Sequence, residues 1–369
     1  MKTENIINGV NISFLAIDQW VQDNVIKPIE TDVKGKDFIT WGKNNDYPEY
    51  LFNLYSNAPT LKTVINGIVD YVCGDDIVDN TRNGEAINRK GHTIKDIVQW
   101  VAKDLVIYGG FAINVVMNKQ MTAPAELYYI DFKRVRSNKD HSKLYYASDW
   151  GKSYGRVKYI EYPNFYEFKY EEEHKGNYIF YYENDINKVY PSPMYSASVN
   201  ACEIEKLISQ YHLNNLHNNF AGSYIVNFNS GKPTDKQKEE IEDEFYDKFT
   251  GVENAGRPML CFNNSKGNET TITKVESDNY KEKYDSLVER SSKEIFTAFR
   301  MSPILCGIDY NSHGFNATEY AQVYKLFYKT VIMPMQDIIK DKFNKIFNTE
   351  NAIDIIPFEI NFETEDDSV

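Results

Sequence analysis

A chain of 369 residues, 42% of them hydrophobic, is long enough for two or more compact units and too apolar to be a disordered segment. Its formal net charge of −13 argues against a tight, static grip on nucleic-acid phosphates, which draws its affinity from clustered Lys and Arg. Passage of DNA through a weakly adhesive channel stays compatible with that charge.

The aromatic residues are unevenly spread. Tyr (28) and Phe (21) far outnumber Trp (4), and the tyrosines crowd between Tyr128 and Tyr195. Tyrosine suits half-buried strands and interfaces, because one end is apolar and the other can stay wet. That stretch is therefore expected to be β-rich, with edges that meet neighbouring subunits. Cys73, Cys202, Cys261 and Cys306 form no CxxC pair, a pattern of reduced, mostly buried thiols and a cytosolic origin. Met1–Asn5 lacks the basic and apolar regions of a signal peptide, and no stretch approaches the ~20 apolar residues of a membrane span. A soluble chain with no membrane partner is expected.

In chain order, residues 1–35 read as an N-terminal arm. Trp41 to Pro48 packs turn formers between aromatics and predicts a loop. From Thr60, the positions Leu61, Val64, Ile65, Ile68, Val69 and Val72 follow helical spacing as far as Gly74. Ile94, Ile97, Val98, Val101, Leu105 and Val106 predict a second helix over 93–108, with Thr93 and Asp96 at cap spacing and Gly109-Gly110 ending it. Phe111–Met117 reads as a strand, followed by short alternating strands at Glu126–Ile130, Val157–Tyr162, Tyr166–Tyr170 and Tyr178–Tyr182. Residues 36–197 are thus an α+β unit with antiparallel strands, closed by Pro191-Ser192-Pro193.

A long helix is predicted over 198–221, ending at Gly222. A small α/β insert fills 222–278: a strand at Tyr224–Asn229, a charged helix opened by the Thr234/Gln237 capping box, and strands at Pro258–Phe262 and Thr270–Val275. A second long helix occupies 279–301, with Tyr280, Tyr284, Leu287, Ser291, Ile295 and Ala298 along its seam, and Pro303 stops it. Residues 302–315 are aperiodic. Asn316 and Glu319 then open a helix over 316–347, and Pro334 inside it predicts a kink. Residues 348–369 are an acidic C-terminal tail, read as solvated and frayed. Two helices that enter and leave one insert lie side by side as a stalk, which gains stability by packing against copies of itself.

No catalytic, cofactor or metal motif emerges, so neither enzyme activity nor a cofactor is expected. Ser230–Thr234 approximates a phosphate loop, but Pro233 stands where Ser or Thr would hold magnesium and Val226 where the first glycine should be. A hairpin turn explains it better. His212 and His217, five apart on a helix, are poorly placed to share a metal. Glu239, Glu240, Glu242, Asp243 and Glu244 form a charged helix face, which is a solvated surface or a protein contact.

Four passages, in order over roughly residues 40–347, resemble the portal proteins of tailed bacteriophages, in the shorter siphophage-type branch. They are Asp104 to Ala112, Tyr190 to Pro193 with Asn219 to Gly222, Ile295 to Gly307, and Phe327 to Pro334. The resemblance implies an α+β portal-type fold: wing (36–197), helical stem (198–221 and 279–301), small α/β clip (222–278), tunnel-loop region (302–315) and kinked wing/crown helix (316–347). It also implies a homo-oligomeric ring, usually a dodecamer, at one capsid vertex of the virion, assembled in the bacterial host cytoplasm. Double-stranded DNA would pass through it non-specifically during packaging and ejection. The partners implied are the major capsid protein, the terminase large subunit docking on the clip, and a head–tail connector.

On these positions, Asp309, Tyr310, Asn311, Ser312, His313, Gly314 and Phe315 would project into the channel, offering small polar donors for transient contact. Lys281, Lys283, Arg290 and Lys293, interleaved with acidic residues, would make a low-adhesion stem wall or inter-subunit salt links; both readings stay open. Glu239, Glu240, Asp243 and Glu244 would face terminase, and Pro334 would be the helix kink. The Tyr-rich wing and the short acidic C-terminus depart from the family pattern. Two other classes compete: another phage head or tail component, such as a minor head or adaptor protein, and a metal-dependent nucleic-acid enzyme.

Overall fold

The computed structural model describes residues 4–7, 10–13, 25–151, 157–167, 176–217, 224–227, 271–274, 280–308 and 317–358. The chain folds as two compact units, residues 1–199 with 296–369, and residues 200–295.

The first unit begins with two antiparallel hairpins, β1 (Glu4–Ile7) with β2 (Val10–Ser13) and β3 (Glu30–Asp32) with β4 (Ile39–Trp41). The stretch expected to be a weakly structured arm therefore contains strands. The Glu30 carboxylate accepts the backbone N–H groups of Val189 and Tyr190 at 3.1 and 2.9 Å, which ties β3 to the body of the unit. Trp41 stacks on Tyr190 with ring centroids 4.6 Å apart. The loop predicted over Trp41 to Pro48 holds over 42–46 and gives way at its end to helix α1 (Tyr47–Asn57). Pro48 lies in its first turn, where a missing N–H is one of the donors that has no intrahelical partner anyway, so the proline starts the helix.

Helix α2 (Pro59–Cys73) buries Leu61, Val64, Ile65, Ile68 and Val72, the positions its spacing predicts. Strand β5 (Asp76–Asp79) follows, then α3 (Ile94–Tyr108). The cap of α3 is reciprocal: Thr93 Oγ1 accepts the Asp96 N–H at 3.3 Å, and Asp96 Oδ2 accepts the Thr93 N–H at 2.8 Å. Gly109 ends α3 at φ +83°, where a Cβ would meet Ser192 O at 2.5 Å, so conformation and space both require glycine.

A three-stranded antiparallel sheet has β6 (Gly110–Met117) at its centre, between β7 (Pro124–Ile130) and the later β11. A second sheet orders β8 (Val135–Ser137), β9 (Lys143–Tyr146) and β10 (Ile160–Pro163), and β11 spans Asn177–Glu183. The strand expected at Tyr166–Tyr170 is corrected: Phe165–Glu167 is a 3-10 turn, and 168–170 lie outside the described residues. The open edge of β7 is covered by side chains, with Arg82 Nη2 donating to Ala125 O at 3.0 Å and Asn88 Nδ2 to Leu127 O at 2.8 Å.

The tyrosines of this stretch divide between core and surface. Five of them, Tyr145, Tyr178, Tyr181, Tyr190 and Tyr195, are buried and build core, while Tyr166 is exposed. Burial is offset where the hydroxyl finds a backbone acceptor, as with Val189 O for Tyr181 at 3.1 Å and Ile107 O for Tyr195 at 3.0 Å. Arg136, equally buried, donates to neutral oxygens only: Asn45 Oδ1, Asn45 O at 2.9 Å, and Lys133 O and Val135 O at 2.8 Å. Burial pushes its guanidinium down to about 10.

The second unit carries most of α4 (Val199–His217), an antiparallel pair of β12 (Tyr224–Asn227) and β13 (Thr271–Lys274), and most of α5 (Tyr280–Ala298). Tyr284 of α5 packs on Tyr211 and His212 of α4, with centroids 4.9 and 5.7 Å apart. The charged helix and the Pro258–Phe262 strand of the insert lie outside the described residues.

The chain re-enters the first unit through a 3-10 turn (Pro303–Cys306), α6 (Ala317–Phe327), a π-helical turn (Tyr328–Ile332), α7 (Met333–Phe347) and β14 (Ile353–Ile356). Strand β14 pairs antiparallel with β5, Ile355 opposite Ile77. The frayed acidic tail is corrected to this extent: Ile353 and Ile355 point inward and are buried, while Asp354 and Ile356 face out.

Candidate functional site

Of the residues given candidate roles by the sequence, two groups lie outside the described residues: Asp309, Tyr310, Asn311, Ser312, His313, Gly314 and Phe315, and Glu239, Glu240, Asp243 and Glu244. Lys281 and Lys283 fall in the first turn of α5. Arg290 and Lys293 are exposed and engaged by carboxylates of their own helix. Arg290 Nε meets Glu294 Oε1 at 2.8 Å and Lys293 Nζ meets Glu289 Oε1 at 2.6 Å. The bond from Lys293 holds the Glu289 carboxyl below its ordinary range. Exposed pairs of this kind add little to the stability of a helix; their consequence is a helix face with alternating, locally neutralised charge.

Pro334 lies in the first turn of α7, directly after the π turn. In an α-helix its N–H would bond Thr330 O, four residues back, and proline has none. The backbone accommodates this by widening: Met333 N–H reaches back five residues to Tyr328 O. Thr330 O receives a side chain from elsewhere, Arg300 Nη2 at 3.4 Å. Arg300 itself occupies the left-handed position that closes α5, at φ +53°. Its N–H bonds Thr297 O at 3.0 Å and the Met301 N–H bonds Phe296 O at 3.1 Å, a complete Schellman cap with arginine where glycine is usual.

A cluster is centred on Tyr71, in the last turn of α2. Its hydroxyl donates to Leu305 O at 2.9 Å and lies 2.9 Å from the Tyr320 hydroxyl. Its ring packs on Tyr324, Phe327 and Phe358, with centroids 5.4 to 6.1 Å away. Buried Gln336 of α7 donates to Val72 O at 3.1 Å, satisfying a terminal carbonyl of α2, while its Oε1 accepts the Tyr328 hydroxyl at 3.0 Å. Neither Tyr71 nor Arg300 is apparent in the sequence as a functional residue. The available signal was the four-residue spacing of Tyr320, Tyr324 and Tyr328, an aromatic stripe that needs a partner.

Among the described residues, no group of His, Cys, Asp and Glu is arranged to hold a metal ion. No described helix is long and apolar enough to cross a membrane.

An α+β unit with a helix interrupted by a π turn, joined to a second unit entered and left by long helices, is a portal-type fold. The phage portal protein family matches residues 89–366, and the chain belongs to that family, as a portal subunit. In fold it is similar to a chain in the neck of the native gene transfer agent particle computed with C12 symmetry: TM-score 0.52, 16% identity, 84% of each chain covered. A chain of the virion of the native gene transfer agent particle gives a TM-score of 0.53 at 16% identity, covering 84% of this chain and 83% of that one. Likeness at this identity shows the fold. An uncharacterized protein of Rickettsia bellii is 30% identical over 139 residues, 36% of this chain and 34% of its own length. The match thus spans about a third of the length of the curated relatives.

Proposed function

We propose that copies of this chain form a closed ring, of about twelve subunits, at one capsid vertex. Its central channel passes double-stranded DNA during packaging and ejection. The observation that carries this reading is family membership across residues 89–366, and the likeness to a neck chain from a particle computed with C12 symmetry supports the copy number. In this reading, 309–315 is the tunnel loop, and α4 and α5 belong to the stem. The intrahelical pairing of Arg290 and Lys293 favours a channel wall of low adhesion, since paired cations release few phosphate counterions. The acidic positions Glu239, Glu240, Asp243 and Glu244 offer the docking face for the terminase large subunit, to be replaced by a head–tail connector, and the major capsid protein surrounds the wing. Assembly takes place in the bacterial host cytoplasm.

Electron microscopy of particles carrying a tagged copy of the chain tests the proposal. The expected result is label at a single vertex of each capsid, on a ring with a DNA-wide channel. Label at many vertices, or only along the tail, overturns it.

A further inference from the structure

The 309–316 segment has two described roots, the turn ending at Ile308 and the start of α6 at Ala317. One phenol bonds both. Tyr71 meets Leu305 O on the first root and the Tyr320 hydroxyl on the second, each at 2.9 Å. A phenol has one proton and a carbonyl can only accept. Tyr71 therefore gives its proton to Leu305, and Tyr320 gives its own to Tyr71. The donor order Tyr320, Tyr71, Leu305 is fixed, and each bond polarises the next. Burial and the Tyr320 contact raise the ionisation of Tyr71 well above its ordinary range.

The phenol is itself held still. Gln336 bonds Val72 O beside it, the Gly74 N–H bonds Asp70 O at 3.0 Å to close the last turn, and three aromatic rings enclose the Tyr71 ring. The roots are thus referenced to α2, an element far away in sequence, and not merely to each other.

We infer that Tyr71 is a positioning residue that clamps both roots of the 309–316 segment to the first unit; the channel role of that segment rests on the portal reading, and the clamp does not. Tyr71→Phe keeps the ring packing and deletes both bonds, whereas Tyr320→Phe deletes only the second. Hydrogen exchange of the full chain reads the two roots separately, in peptides covering 301–308 and 317–327. Tyr71→Phe is expected to speed exchange about tenfold in both, with α3 unchanged. Tyr320→Phe is expected to speed it in 317–327 and to leave 301–308 within about twofold. Unchanged exchange at both roots in Tyr71→Phe overturns the clamp. If that variant fails to fold, Tyr320→Phe alone decides, since equal effects on the two peptides, or none, contradict the donor order. Particles assembled with Tyr71→Phe are expected to retain several-fold less DNA. Loosened roots with undiminished DNA uphold the clamp and overturn the channel role of the segment.

Discussion

Asp104 stands on α3 with only 4% of its surface exposed and no cation bonded to it. Its Oδ2 accepts the Phe132 N–H at 3.2 Å, and the Tyr129 phenol also bonds it. Burial, and then the neighbouring Asp131 carboxylate, push its ionisation well above the ordinary aspartate range. A carboxyl whose folded pKa is raised takes up a proton on folding. Its favourable contribution is complete below the unfolded value of ~3.9, shrinks as pH rises, and is gone once pH passes the folded value. Asn in its place keeps an acceptor for Phe132 and never ionises. Asp104→Asn is therefore expected to melt within about 2 °C of the parent at pH 4 and several degrees above it at pH 7. A variant that melts lower at pH 7 would show an ionised carboxylate that stabilises the unit. Nothing in the sequence around Asp104 announces this, because its burial depends on Tyr129, Asp131 and Phe132, which a distant strand and turn bring against the helix.

At the scale of elements, the π turn before Pro334 shows what a sequence can and cannot convey. Pro334 is legible as a break, since a missing N–H has the same consequence in any helix. The π turn and the donor from Arg300 are not legible, because Thr330 O is served by a side chain thirty residues earlier. The same limit explains α1 and β14. Pro48 reads as a loop former until its place in the first helical turn is known, and Ile353 and Ile355 read as part of an acidic tail until β5 is beside them. Arg300 joins two opposed effects. A non-glycine residue in the left-handed region costs about 1 kcal/mol, while its guanidinium serves a carbonyl that Pro334 has orphaned. Arg300→Gly should consequently be close to neutral in the parent chain. In a Pro334→Ala background, where the introduced alanine supplies the backbone donor, it should stabilise by about 1 kcal/mol. Denaturant titration of the four chains measures this coupling. An identical effect of Arg300→Gly in both backgrounds would mean that the side chain does not compensate for the proline.

For the molecule as a whole, the order of helices and insert was the most legible feature, because helical periodicity and Gly or Pro stops are local signals. What joins the two ends of the first unit was hidden, since the β5–β14 pairing spans most of the chain. That pairing is close-packed: a Cβ on Gly74, just past α2, would lie 2.0 Å from Ile356 O, and the Asp75 N–H bonds the same oxygen at 2.8 Å. Asn344 at the end of α7 reinforces it, donating to Glu350 O at 2.8 Å and accepting the Ala352 N–H at 2.7 Å. The C-terminal strand is thus part of the core, whatever the acidic residues beyond Phe358 do. Two truncations separate these parts. Ending the chain after Phe358 removes only residues beyond the last described contact, and should leave the melting temperature within about 2 °C of the parent. Ending it after Asn351 removes buried Ile353 and Ile355 and leaves Ile77 without its cross-strand neighbour. Loss of two large buried side chains is worth at least ~4 kcal/mol, so the first unit should melt many degrees lower or fail to accumulate in soluble form. Equal melting of the two truncated chains would mean that β14 only decorates a unit already complete without it, and that α2 and α7 alone carry the join.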